Sequence, residues 1–123
     1  MNLTMVELGV PFMDAQHQAF VDRLTELADK PEAELLAAFP TLVSELESHF
    51  AQEEELMASC GFGAIGEHTG EHKRLLSECA MLSRFAKRGG APAIIRFMQS
   101  ELPRWFHTHL ETMDAALAVH AQR

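Results

Sequence analysis

The sequence predicts an all-α fold, an antiparallel up-down four-helix bundle. Three observations support this prediction. Apolar residues recur at helical spacing in four stretches, the alternation typical of β-strands is absent, and prolines and glycines fall between the stretches. The 123 residues, 47% of them hydrophobic, are enough to bury one core, so we expect a single domain over residues 1–123.

The first two helices are bounded by prolines and glycines. The first is expected over about residues 14–29, with Asp14 as its N-cap and the sequence "DKP" as its end. The second is expected over about residues 32–58, after Pro31 and before the sequence "CGFG". Because only a short loop separates them, the two helices are expected to be antiparallel neighbours.

The last two helices follow the same pattern. The third is expected over about residues 65–87 and ends at "KRGG", since basic residues and then glycine suit a helix C-terminus. The fourth begins near Pro92 and extends to about residue 120. Pro103 lies inside it and, because proline lacks an N–H, is expected to remove one helical hydrogen bond and to kink the helix.

Charge and composition exclude several classes of partner. Eighteen acidic residues against ten basic ones give a formal net charge of −8, which repels phosphate backbones and anionic lipid. No stretch approaches the roughly 18 consecutive apolar residues of a membrane span, and no basic-then-apolar signal sequence begins the chain. We therefore expect no nucleic-acid partner, no membrane span and a cytoplasmic location, with Cys60 and Cys79 as free thiols.

Histidines and acidic residues share apolar helix faces, which is unusual. On the second helix His49 lies within the stripe of leucines, and Glu53, about 40° from it, lies there too. Glu54 and Glu55 point about 140° and 240° away from His49, so both are predicted to be solvated. The sequence therefore predicts that one of three consecutive glutamates is buried.

The other three helices each add inward polar residues. His68 and His72 are one turn apart on the third helix, and His17 lies three residues before an apolar phenylalanine on the first. His109 follows Trp105 by four residues on the fourth helix. Asp114 is five residues from His109, about 140° away in a regular α-helix, so we predict a π-like or otherwise irregular turn between them.

Together these residues predict a metal centre. Any one of the histidines alone is better explained as a hydrogen-bonded core or surface residue. Burying them all without partners, however, costs about 2 kcal/mol or more for each unsatisfied group, and metal coordination compensates for that cost. Seven ligands exceed one tetrahedral zinc and suit a pair of first-row ions, iron or manganese. The predicted ligands are His17, His49, Glu53, His68, His72, His109 and Asp114.

Four motifs in this order resemble the hemerythrin family, specifically single-domain bacterial hemerythrin. They are "GVPFMDAQH", "HFAQEEELM", "HTGEH" and "WFHTHLETMD", and they span nearly the whole chain. The resemblance implies two iron ions in the bundle core, joined by an oxo or hydroxo bridge, with dioxygen as the ligand. It assigns His68, His72 and His109 to one iron, His17 and His49 to the other, and Glu53 and Asp114 to both.

The resemblance also implies a function, which is reversible dioxygen binding for storage, delivery or sensing rather than enzymatic catalysis. Phe20, Phe106 and Leu110 are expected to line the oxygen pocket. An electron donor or an oxygen-using enzyme is the expected partner besides dioxygen. Two alternatives stay open: a di-iron peroxide or nitric oxide reductase, and a protein for iron storage or buffering.

Overall fold

A computed structural model describes residues 7–122 and contains four helices. No strand occurs in that range, and the all-α prediction is confirmed. The ends of the predicted 1–123 domain lie outside the described residues. The helices are α1 (Pro11–Ala28), α2 (Glu32–Ser59), α3 (Ile65–Phe85) with a 3-10 turn at Ala86–Arg88, and α4 over residues 91–121.

Helix α1 begins earlier than the sequence predicts. Its first residue is Pro11, whose fixed φ suits the first helical position, where the missing N–H is not needed. The prediction of Asp14 as N-cap is therefore wrong. The Asp14 carboxylate instead accepts hydrogen bonds from the backbone N–H groups of Leu8 and Gly9, at 2.7 and 3.1 Å. It thereby fixes the segment that leads into the helix.

Helix α4 contains two widened turns of π-helix. The first, Phe97–Glu101, lies just before Pro103 and accommodates a residue that cannot donate a backbone hydrogen bond. The second is Leu110–Asp114, where the N–H of Ala115 donates to the carbonyl oxygen of Leu110, five residues back. The predicted irregular turn between His109 and Asp114 is therefore confirmed.

The apolar core is divided by a belt of polar side chains. The larger apolar cluster includes Phe20 and Phe50, and the smaller one includes Met13, Met57 and Leu117. On α1, α2 and α4 the predicted ligands lie between residues of the two clusters along the chain. The polar groups are thus enclosed on both sides by apolar packing, which keeps bulk water away from them.

Within residues 7–122 no helix is both long enough and apolar enough to cross a membrane.

Cys60 and Cys79 are free thiols, as predicted. Burial raises the pKa of the Cys79 thiol to about 12, so this side chain packs as an inert apolar group.

Candidate metal centre

All seven predicted ligands converge in the middle of the bundle, and every one of the four helices contributes at least one. Six of them are almost fully buried, with exposed fractions of 0% to 3%. His49 is the most accessible, at 10%. The six buried residues are His17, Glu53, His68, His72, His109 and Asp114.

Glu53 lies between two groups of histidines. Its Oε2 is 3.2 Å from the Nε2 of His49 and 3.8 Å from that of His17. Its Oε1 is 2.5 Å from the Nε2 of His68 and 3.1 Å from that of His72. The carboxylate therefore presents one oxygen to each group.

Asp114, on α4, is arranged in the same way as Glu53. Its Oδ2 lies 3.1 Å from the Nε2 of His17, while its Oδ1 lies 3.1 Å from His68 Nε2 and 3.2 Å from His109 Nε2. The widened turn that ends at Asp114 is what brings this carboxylate to the face of His109. We call His68, His72 and His109 the three-histidine group, and His17 and His49 the two-histidine group.

The donor atoms are too close and too poorly satisfied for an ordinary hydrogen-bonded cluster. The Nε2 atoms of His72 and His68 each lie 3.1 Å from that of His109. Among residues 7–122, neither oxygen of Asp114 nor the Oε2 of Glu53 finds a hydrogen-bond partner with acceptable geometry. Unsatisfied buried atoms that converge in this way suit bound cations.

Two separate sets of donors meet the requirement for a metal ion. One ligand atom from each of Glu53, His68, His72 and His109 lies within 4.8 Å of the others, and the same holds for His17, His49 and Glu53. Glu53 belongs to both sets. The residues therefore fit two adjacent cations that share a carboxylate, and imidazole with carboxylate is a donor set that iron accepts.

The pKa values of the clustered histidines and carboxylates show how the charges of these groups balance one another. Burial alone lowers the pKa of His17 and His68, but the close carboxylates of Asp114 and Glu53 outweigh it and raise both pKa values to about 9. Burial raises the pKa values of Glu53 and Asp114, but the close histidines outweigh it and lower both below their usual range. The surroundings of these imidazoles therefore favour positive charge, which a bound metal ion would also supply.

The outer side of His72 shows two neighbours that sequence reasoning missed. The Nδ1–H of His72 donates to Oε2 of Glu54 at 2.9 Å, and the Phe50 ring stacks on the imidazole at 4.0 Å and 4°. The prediction that Glu54 is solvated is incomplete, because this side chain is 35% exposed but is also bonded to the imidazole. Glu55 is exposed, as predicted. The position of Glu54, four residues after Phe50, could have indicated this contact. Both residues lie on the side of α2 that faces α3.

His109 is also supported from outside. The Trp105 ring stacks on its imidazole at 4.5 Å and 13°. The indole Nε1–H donates to Glu71 at 2.8 Å, and Arg74 donates to the same carboxylate at 2.7 Å. An exposed ion pair on α3 therefore fixes the aromatic ring that lies against a ligand on α4.

The two-histidine group has apolar surroundings instead. Phe106 lies edge-on to His17 with ring centroids 5.8 Å apart, and Phe20 packs on Phe106 at 4.8 Å. Leu110 is 1% exposed in the same core cluster. A groove of about 300 Å³ between α1 and α2 reaches Phe20 and His49 from outside. This half of the centre is both apolar and close to the surface.

The remaining two histidines lie apart from the centre. His107 is 48% exposed and pairs with Glu111 at 3.2 Å, one turn along α4. His120 is hydrogen bonded through Nε2 to the carbonyl oxygen of Cys60 at 2.9 Å. Neither has a place among the converging donors.

Comparison with known proteins identifies relatives over nearly the full length. Residues 8–121 match the family described as Hemerythrin HHE cation binding domain. Bacteriohemerythrin of Ralstonia nicotianae is 35% identical over 109 residues, covering 89% of this chain and 79% of that protein. Bacteriohemerythrin of Aquifex aeolicus is 28% identical over 117 residues, covering 91% of this chain and 89% of that protein. No solved structure gave a significant match.

These matches agree with the geometry of the centre and with the sequence motifs. The family match covers the described helices almost from end to end, and its description names cation binding. The buried histidine and carboxylate cluster is the part of the fold that suits that description. The chain belongs to the hemerythrin family.

Proposed function

We propose that this protein binds dioxygen reversibly at a pair of iron ions in the bundle core, for oxygen storage, delivery or sensing. One observation carries the proposal. Both buried carboxylates, Glu53 and Asp114, turn one oxygen toward the two-histidine group and the other toward the three-histidine group. Two bridging carboxylates across unequal sets of histidines suit two ions of different coordination.

The proposed ligands are divided between the ions as the distances suggest. The three-histidine group would hold one ion, the two-histidine group the other, and Glu53 and Asp114 would contribute to both. The ion with fewer protein ligands would keep room for a small exogenous ligand. When bound, the pair of ions and its proposed oxo or hydroxo bridge would supply reversible electron transfer to dioxygen.

The surrounding residues control access and protons. Phe20, Phe106 and Leu110 are buried apolar side chains beside the two-histidine group, and we propose that they line the oxygen pocket. An apolar wall excludes water and the protons that would make oxidation irreversible. We propose that a small neutral molecule approaches the centre by the groove between α1 and α2, which His49 lines.

The names of the relatives support the same proposal. The most similar proteins named above are called bacteriohemerythrins, and each alignment covers more than two thirds of the relative. The proposed partner besides dioxygen is an electron donor that restores the reduced state, or an enzyme that consumes oxygen.

Metal content and optical spectroscopy test the proposal together. The purified protein should hold two iron ions per chain, and its visible spectrum should change on exposure of the reduced form to dioxygen and reverse when dioxygen is removed. Fewer than two ions per chain would contradict the site. Rapid decay of the oxygen-dependent spectrum with turnover of peroxide or nitric oxide would favour a reductase instead. More than two irons per chain would favour iron storage.

A further inference from the structure

We propose that Glu54 is a positioning residue of the metal centre, which acts through His72. By accepting the Nδ1–H hydrogen bond of His72, Glu54 fixes the orientation and tautomer of that imidazole and strengthens its Nε2 as a metal ligand. The inference rests on the proposed metal occupancy of the centre. It does not depend on dioxygen binding.

The hydrogen bond between His72 and Glu54 distinguishes His72 from the other predicted ligands. Its Nδ1 lies 2.9 Å from Glu54 Oε2, and the same side chain's Nε2 points inward to Glu53 and His109. The Nδ1 atoms of the other four histidine ligands lack a hydrogen-bond partner in the described part of the chain. Those four residues are His17, His49, His68 and His109.

Helix α2 holds this imidazole at two points. Phe50 lies four residues before Glu54, so both side chains leave the same face of the helix. Phe50 stacks on the ring face at 4.0 Å, and Glu54 accepts from the ring edge at 2.9 Å. A stacked face and a bonded edge leave the ring little freedom to rotate.

The chemical consequence follows from the sharing of one proton. A carboxylate that accepts the Nδ1–H makes the Nε2 lone pair more basic and keeps it available to a cation. Because only His72 has such a partner, the ion of the three-histidine group gains the stronger donor. The pair of ions is thereby made unequal by a residue that touches neither of them.

Zinc binding gives a test that is independent of oxygen chemistry. The metal-free protein, E54A, E54Q and the control variants E55A and E55Q would be titrated with zinc against a chelator of known affinity. Glu54 is 35% exposed and Glu55 is its exposed neighbour, so each pair of variants removes the same charge from the same helix. Circular dichroism would confirm equal helix content.

The expected result is a loss confined to position 54. Removing an outer carboxylate partner typically weakens metal affinity by about 10- to 100-fold, and we expect this for E54A. In E54Q the amide oxygen still accepts a hydrogen bond, so part of the affinity should return. E55A and E55Q should bind zinc as the natural chain does. Equal affinities for the position 54 and position 55 variants would overturn the proposal.

Nuclear magnetic resonance of the zinc-loaded protein gives a second readout that a purely structural role would not change. The Nδ1–H of His72 should give a downfield proton resonance that persists in slow exchange. This resonance should be lost in E54A and shifted in E54Q. Its retention unchanged in E54A would also contradict the proposal. If the natural chain bound zinc as expected but failed to bind dioxygen, the proposed function would fail while this inference stood.

Discussion

The two halves of the metal centre differ in what surrounds their histidines. The three-histidine group is supported from outside by hydrogen-bonded and stacked neighbours, Glu54 and Phe50 on one imidazole and Trp105 on another. The two-histidine group faces the apolar ring of Phe106, and a surface groove reaches His49. The predicted ligands that distinguish the halves are histidines in both.

We expect this difference to separate two tasks. Side chains fixed by outer hydrogen bonds and stacking hold an ion in one geometry, whereas apolar walls near the surface leave room for a small ligand. The centre therefore combines a rigid half with an accessible half. The four predictions that follow test this division, beginning with the change that should remove the distinction altogether.

Loss of both bridging carboxylates should have the largest effect. Within residues 7–122, Glu53→Ala together with Asp114→Ala removes the only acidic side chains that face both histidine groups, so the protein should hold fewer than two metal ions per chain. Elemental analysis after loading and desalting measures this. Glu55→Ala with Asp29→Ala, which removes two exposed carboxylates, is the matched control. Retention of two ions by the first variant would show that neither carboxylate is required.

Metal removal should change the pH dependence of stability. In the metal-free protein the pKa values of His17 and His68 are raised from 6.5 to about 9. A pKa raised on folding stabilises the fold fully below pH 6.5, and this stabilisation is lost as pH rises through 9. The free energy of unfolding of the metal-free form should therefore fall across that window.

The metal-loaded form should behave differently over the same range. Because the ions replace the protons, binding strengthens as pH rises, and the decline should be absent or reversed. Urea denaturation of both forms at about pH 6, 7.5 and 9 measures the two profiles. Parallel profiles would show that the ions and the protons do not compete for the same groups.

Weakening the apolar wall should affect the accessible half alone. Phe20→Leu shortens the ring that packs on Phe106 and opens the region beside His17. We expect the oxygen-exposed protein to oxidise irreversibly about tenfold faster, which corresponds to a barrier lower by about 1.4 kcal/mol. Phe39→Leu, in the core away from the ligands, is the control. An unchanged oxidation rate in Phe20→Leu would remove the role proposed for the wall.

The smallest effect is expected in the rigid half. Trp105→Phe keeps an aromatic ring against His109 but loses the N–H that donates to Glu71. Stability of the zinc-loaded protein should fall by about 1 kcal/mol, the net value of one such hydrogen bond, while two ions stay bound. Urea denaturation measures the loss. A variant that released zinc would show that the indole N–H matters more than the stacking.

Helical angles were enough to predict most of the polar side chains that are buried in the bundle core. They placed Glu53 inward and Glu55 outward, and both orientations agree with the structure. Five residues of spacing between His109 and Asp114 were enough to predict a widened turn, because a regular helix would separate the two side chains. Such patterns predict a side chain's orientation correctly where its helix face is either fully buried or fully exposed.

Angles were not enough where a polar side chain lies at the border of two helices. Glu54 points away from the side of α2 that faces the core. The neighbouring helix α3 nevertheless brings the Nδ1 of His72 within 2.9 Å of it. The start of α1 was also missed, since Asp14 is a good N-cap by type but Pro11 already begins the helix. Both errors concern contacts between segments, which a single helical wheel does not contain.

In the widened turn at Leu110–Asp114, the number of residues matters more than their identities. Glu111 and Thr112 lie in it with exposed side chains, so many residues would serve at either position. Deleting one of them would shorten the turn to a regular α-helical one and shift the phase of everything after it. The helix would still form, but the Asp114 carboxylate would no longer face the histidines. Within this stretch we therefore expect substitutions to be tolerated and a change of length to disrupt the centre.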